Sequence, residues 1–195
     1  MTLDPGELLY WTGQSAVALM AAGGVLESGR KRFDLFGMLI VALAAALGGG
    51  TLRDLLLDRP VFWVADQTFL IAALAAAGVT FFLARRWVPP ARLFLVADAA
   101  GLALFTVTGT QAALAWGAPW LVASFLGVLT GVAGGILRDV LCNEEPLVFG
   151  SPLYATASWL GALLLIGLPL LGVANGSAAF LLAYLAMGLV FFLLG

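Results

Sequence analysis

The sequence predicts an all-α polytopic membrane protein with seven transmembrane helices: two inverted three-helix repeats plus a seventh helix. Three observations carry this prediction. The chain is 63% hydrophobic and only 10% charged, whereas a soluble domain carries about 25% charged residues. Lipid must therefore cover most of its exterior. Seven apolar stretches are each long enough to cross a hydrocarbon core, which takes about 20 helical residues. Finally, the ten residues Leu47–Leu56 return 85 positions later as Val132–Leu141, with six of ten identical: Gly, Gly, Leu, Arg, Asp and Leu.

The spans fall at 8–27, 35–57, 66–85, 93–115, 119–141, 152–171 and 176–194. The first follows an acidic start that includes Asp4 and Glu7. A secretory signal would start basic, so this stretch reads as a retained span. The second follows Arg30-Lys31-Arg32 and carries Gly48-Gly49-Gly50 and then Arg53-Asp54. The third ends on Arg85-Arg86, and Pro89-Pro90 marks the clearest linker. The fourth carries Asp98, and the fifth the second copy of the motif. Trp11, Trp63, Trp87, Trp116 and Trp120 fall at predicted interfaces, where amphipathic rings settle, and Trp159 is the exception. No segment reads as a soluble unit. The chain is one membrane domain over 1–195, with repeat one at 8–86, repeat two at 92–172 and an extra helix at 176–194 suited to packing or subunit contact.

Composition also excludes functions. A net charge of −2 with nine scattered basic residues gives no phosphate-tracking groove, so no nucleic-acid partner is expected. The absence of His removes Ser-His-Asp and Cys-His catalysis, and the single Cys142 builds neither a disulfide nor a metal cluster. The acidic residues of the loops match no calcium-loop spacing. An enzyme is not expected.

Basic residues set the orientation. The loops after spans one and three hold Arg30, Lys31, Arg32, Arg85, Arg86 and Arg92, and Arg138 lies near the loop after span five. The opposite side has only Arg53 and Arg59. The positive-inside rule puts the N-terminus outside and the C-terminus in the cytoplasm.

Each copy of the motif ends the middle span of its half, and a proline follows each time, Pro60 and Pro146. Three spans is an odd number, so the second copy enters from the opposite side. Arg53-Asp54 is expected toward the outer face and Arg138-Asp139 toward the cytoplasm. This is the pattern of an inverted-topology repeat, whose functional path lies at the repeat interface.

The glycines admit two readings. Gly48, Gly49, Gly50, Gly134 and Gly135 either allow close packing of helices or kink the helix and expose carbonyls to a water-lined cavity. Their twin placement before Arg-Asp favours cavity-lining helices. Neighbours on a helix point about 100° apart and do not face each other squarely. Arg53, Asp54, Arg138 and Asp139 are thus each expected to find a partner elsewhere. They either anchor helix ends at the headgroups or flank two vestibules and shape the field of a pore. Asp98 lies about 9 Å inside span four at 1.5 Å per residue. An intramembrane carboxylate is a functional candidate; the alternative is an ion pair with Arg92 or with an Arg of span five. Thr106, Thr108, Thr110 and Gln111 on the same span, and Gln14 and Ser15 on span one, either line a wet path or bond their own backbone.

With the doubled Gly-Gly-x-Leu-Arg-Asp, Asp34-Leu35-Phe36-Gly37 and the run Asp98–Phe105, nearly the whole chain resembles the trimeric intracellular cation channel (TRIC) family. It is most similar to the prokaryotic branch, long labelled a glycine-transporter-like domain. The resemblance implies a homotrimer with an hourglass-shaped pore in each subunit, conducting monovalent cations and mainly potassium. It implies that spans two and five line the pore and kink at Gly48, Gly49, Gly50, Gly134 and Gly135, with Arg53, Asp54, Arg138 and Asp139 after them. Ala133 replaces the first glycine of the second copy, a departure that bears on the sharpness of that kink.

Two functions follow. One is passive potassium conduction, with Asp54, Asp98 and Asp139 offsetting the arginines. The other is secondary transport of a small solute such as glycine, because broken helices in inverted halves also suit alternating access. A scaffold whose glycines only pack helices is a third reading. No cofactor is expected. The ligands expected are the permeant potassium or sodium ion and bound membrane lipid.

Overall fold

The computed structural model describes residues 4–31, 33–86, 91–150 and 154–171. Their regular structure is entirely helical: α1 (Pro5–Arg30), α2 (Leu35–Leu56), α3 (Phe62–Ala65), α4 (Thr68–Arg86), α5 (Ala91–Ala115), α6 (Trp120–Leu141), α7 (Leu147–Gly150) and α8 (Tyr154–Gly167), which runs into a 3₁₀ turn at Leu168–Leu171. The seventh expected span, 176–194, the Pro89-Pro90 linker, Trp87 and Arg32 lie outside the described residues.

Local chemistry explains the ends. Asp4 caps α1 by accepting the Gly6 N–H at 3.2 Å, with Pro5 at the first helical position. Asp34 caps α2 by accepting the Gly37 N–H at 2.8 Å. The first helix is longer than the apolar stretch at both ends, because this cap and the polar last turn through Arg30 extend it beyond 8–27. The short helices α3 and α7 were not anticipated; each follows a proline in the chain's return from the motif.

Helices α2, α4, α6 and the stretch Phe94–Ala115 of α5 are long and apolar enough to cross a membrane. The 14-residue α8 is shorter. α6 sits at the centre and packs on α2, α5, α8 and α1, whereas α4 is peripheral and buries only Ala73 and Ala77. Lipid tails provide no hydrophobic drive for helices to associate, so contact relies on close packing of small side chains. The core is built that way, around Ala16, Ala21, Ala42, Ala45, Ala46, Ala73, Ala77, Ala113, Ala123 and Ala162, all nearly inaccessible.

Among the described glycines, those of α2 and α6 come closest to a facing backbone. A Cβ on Gly49 would collide with the carbonyl oxygen of Thr130 and lie 2.9 Å from its carbonyl carbon. A Cβ on Gly134 would collide with the carbonyl oxygen of Ala45 and lie 3.1 Å from that carbon. Gly134 and Thr130 stand 85 positions after Gly49 and Ala45, so the two contacts are counterparts. Positions rise along α2 as they fall along α6, so the helices cross antiparallel. Both run unbroken through their glycines.

Candidate functional site

Antiparallel crossing carries Arg53-Asp54 and Arg138-Asp139 to opposite ends of the α2–α6 pair. Both ends are built to one plan. In the first, α2 closes in a Schellman turn: Asp58 takes the left-handed conformation (φ 50°), its N–H bonds the Leu55 carbonyl at 3.2 Å, and the Arg59 N–H bonds the Asp54 carbonyl at 3.0 Å. In the second, Asn143 (φ 54°) bonds the Val140 carbonyl at 3.0 Å, and the Glu144 N–H bonds the Asp139 carbonyl at 2.9 Å. Asp and Asn are among the few non-glycine residues that tolerate this conformation.

The side chains repeat the plan. Arg53 donates from Nε to Asp54 Oδ1 at 2.8 Å, and Asp54 Oδ2 accepts the Phe62 N–H that starts α3 at 2.8 Å. Arg138 donates from Nε to Asp139 Oδ1 at 2.7 Å, and Asp139 Oδ2 accepts the Leu147 N–H that starts α7 at 3.1 Å. This corrects the expectation that each charge would turn to a partner other than its neighbour. The arginine stem is long enough to fold back on its neighbour, while the short aspartate aims its second oxygen at the returning chain. Each carboxylate thereby ties a helix end to the short helix that follows.

The surroundings differ. Arg53 also reaches Asp54 through Nη2 at 2.8 Å and lies 5.7 Å from the Phe62 ring centre. A second cation, Arg59, stands 3.4 Å from Asp54 and 5.4 Å from the ring of Trp116, whose Nε1 donates to the Leu57 carbonyl at 2.9 Å. Arg138 is fully buried, with 0% exposure. It pairs through Nη1 with Asp98 of α5, and its guanidinium lies 4.7 Å from the ring centre of Phe94. Tyr154 of α8 donates its hydroxyl to the other oxygen of Asp98. The intramembrane carboxylate therefore meets an Arg of the fifth expected span, one of the two partners anticipated for it.

The remaining predicted positions are placed as follows. Gly48 faces Leu137 and Gly50 faces Phe62, while Gly135 faces the Arg138–Asp98–Tyr154 cluster. Thr106, Thr108 and Thr110 bond carbonyls of their own helix at 2.8, 3.0 and 2.8 Å. Gln14 joins Tyr10 and Thr68 at 3.1 and 2.9 Å. Trp159, the interface exception, donates to Ser124 at 3.0 Å inside the bundle. Tyr154, Phe94 and Phe62 were missed as site residues. Tyr154 stands 85 positions after Phe69, and that aromatic pairing across the repeat could have drawn attention to it.

Known proteins bear on this geometry. The family model described as "Glycine transporter" matches the chain twice, over residues 10–85 and 95–170. The UPF0126 inner membrane protein YadS of Escherichia coli K12 is 42% identical over 163 residues, which is 80% of this chain and 76% of that protein. Among solved structures, the TRIC trimeric intracellular cation channel orthologue from Rhodobacter sphaeroides aligns with a TM-score of 0.88 and 36% identity, covering 94% of each chain. A second, of a TRIC cation channel solved to explain conductance, aligns at 0.82 and 28% identity over 93% of this chain and 90% of that one.

Proposed function

This chain belongs to the trimeric intracellular cation channel family, in its prokaryotic branch, and from that membership we propose that it is a potassium-permeable homotrimeric channel with one pore in each subunit. The observation that carries the reading is the antiparallel contact of α2 and α6 at Gly49 and Gly134, midway between two buried charged centres. Among the described glycines this backbone contact is the tightest, and a small separation of the two helices there opens a path from one centre to the other. Gly48, Gly49, Gly50, Gly134 and Gly135 are the gate in this reading. Arg53, Asp54, Asp98, Arg138 and Asp139 shape the field at its two mouths.

The recurrence of one hydrogen-bond plan at an 85-residue offset, on antiparallel helices, supports an inverted repeat whose pseudo-two-fold axis lies in the membrane plane. The distribution of basic residues supports an N-terminus outside and a C-terminus in the cytoplasm, and kinship with an inner membrane protein supports that membrane as its site. Membrane lipid is the expected surrounding ligand, and potassium or sodium the permeant ion.

Secondary transport of a small solute such as glycine is favoured by the family model's description alone. Single-channel recording of protein reconstituted in liposomes separates the readings. A channel gives unitary currents that reverse near the potassium potential. Reversal at the chloride potential defeats the cation assignment, and saturable flux without unitary events favours the transporter.

A further inference from the structure

The 85-residue offset pairs more than the motif. A Cβ on Gly24 of α1 would lie 2.7 Å from the Ala42 Cα of α2, and one on Gly109 of α5 would lie 3.1 Å from the Gly127 Cα of α6. Gly109 and Gly127 stand 85 positions after Gly24 and Ala42, so α1 meets α2 as α5 meets α6. Carried to the charged ends, the same offset sets Asp98 against Gly13 and Tyr154 against Phe69. Both pairs touch. Tyr154 donates its hydroxyl to Asp98, and a Cβ on Gly13 would stand 3.3 Å from the Phe69 ring. Where the second half holds a carboxylate and a phenol, the first holds a bare Cα and a phenyl edge.

The exchange changes what surrounds the arginine. Arg138 divides its donors between Asp98 and Asp139. Arg53, with Gly13 in the place of that second carboxylate, turns both Nε and Nη2 on Asp54 at 2.8 Å. It meets Phe62, whose ring lies edge-on to Phe69 at 5.0 Å. Arg59, the counterpart of Glu144, adds a second cation against Asp54.

We infer that Gly13 and Phe69, with Arg59 at the rim, are the positions that make conduction depend on direction. By withholding a second carboxylate they keep the Arg53 mouth positive, opposite a negative Arg138 mouth. Potassium then passes more readily from the Arg138 end to the Arg53 end than back. The current itself rests on the channel reading above, whereas the exchange of a carboxylate for a glycine does not. The local potential sets the supply of ions to each entrance. One net charge about 8 Å from an ion in watery surroundings changes its local concentration roughly two- to threefold. A positive entrance starves the path at one end, and a negative entrance feeds it at the other. With the N-terminus outside, the favoured direction is outward.

The test records unitary potassium currents at equal and opposite voltages from the full chain in uncharged phosphatidylcholine membranes. Wild type in symmetric potassium chloride of about 0.1 M is expected to carry roughly two to three times more current in one direction. That ratio should approach one at about 1 M, where the screening length falls from about 10 Å to about 3 Å. Gly13→Asp with Phe69→Tyr copies the second half's carboxylate and phenol into the first, and is expected to bring the low-salt ratio towards one. Gly13→Asn with Phe69→Tyr has the same shape without the charge and should keep the wild-type ratio. Arg59→Glu with Trp116→Lys copies the opposite rim and should lower the ratio independently. Symmetric wild-type currents at low salt overturn the inference, as does an Asn variant that moves the ratio as far as the Asp variant, or a ratio that neither charge exchange changes. If wild type gives no unitary current, the channel reading fails, and melting in detergent decides the assignment of the two positions. Arg53→Ala should then cost several-fold more in melting temperature in the Gly13→Asp, Phe69→Tyr background than in wild type, and equal costs overturn it. Should that background not fold, the rim exchange and the salt dependence of the wild-type ratio decide.

Discussion

The two ends of the α2–α6 pair share one backbone plan and carry opposite charge. The Arg53 end counts two cations, Arg53 and Arg59, on one carboxylate, Asp54. The Arg138 end counts one cation on two carboxylates. The difference extends to the closures at the rim. At the first end Arg59 lies over Trp116, and at the second Lys31 pairs with Glu144. Glu144 stands 85 positions after Arg59, and Trp116 stands 85 positions after Lys31. The same two sites meet across the halves at each end, once through a cation on an aromatic face and once through an ion pair. Geometry has been held while charge has diverged, which separates what the scaffold requires from what each mouth is free to vary.

The sharpest break comes from removing the arginines. Arg138→Ala leaves two buried carboxylates without their shared cation and is expected to cost about 3–5 kcal/mol, the scale for an uncompensated buried charge. Arg53→Ala leaves Asp54 beside Arg59 and the Phe62 N–H, and should cost less than half as much. Thermal unfolding of both variants in detergent measures this, and equal losses would erase the distinction between the ends.

Next are the glycines. Gly49→Ala and Gly134→Ala each drive a methyl into a backbone carbonyl of the facing helix. Each is expected to cost about 1–3 kcal/mol by overpacking, and the two costs should be similar because the contacts are counterparts. A large disparity in melting temperature would show that charge at the ends controls the packing at the centre.

Smaller effects test the rims. Trp116→Phe keeps a ring for Arg59 but loses the hydrogen bond to the Leu57 carbonyl, at about 0.5–1.5 kcal/mol in the same melting assay. At the other rim, the hydrogen bond from Lys31, together with its charge, holds the Glu144 carboxyl below the ordinary range. A depressed folded pKa contributes stability above the unfolded value, which is about 4.3 for Glu. That contribution is lost as pH falls through the folded value. The melting difference between wild type and Lys31→Met should therefore be present at neutral pH, narrow below about pH 4, and shrink with added salt because both groups are near the surface.

Much of this was legible in the sequence. The ends of α2 and α6 were readable to within a residue, because Asp34, the interface Trp120 and the Arg-Asp pairs punctuate them. The repeat was readable as an offset. The glycines were readable as either close helix contacts or cavity-lining kinks, and spacing alone favoured the cavity because it cannot say whether a bare Cα faces a cavity or a carbonyl. Asp98 was legible as a charge in the wrong place, yet its partners depend on which helices become neighbours. Tyr154, on a helix 56 positions away from Asp98, gave no local sign of that meeting. The pairing within Arg-Asp dipeptides was misread because helical wheel angles describe Cβ directions and not the reach of a long arginine side chain.

The crosswise rims also set an order in time. A chain leaving the ribosome completes residues 1–86 before any of α5 or α6 exists, and domains ordinarily fold as units in that order. Here the first half emerges with Lys31 lacking Glu144, Arg59 lacking Trp116, and Gly49 facing no carbonyl. Neither half can finish itself. The first must be held in the bilayer, incomplete, until the second is inserted against it. The two half-chains made separately should then each be labile and become stable only when expressed together.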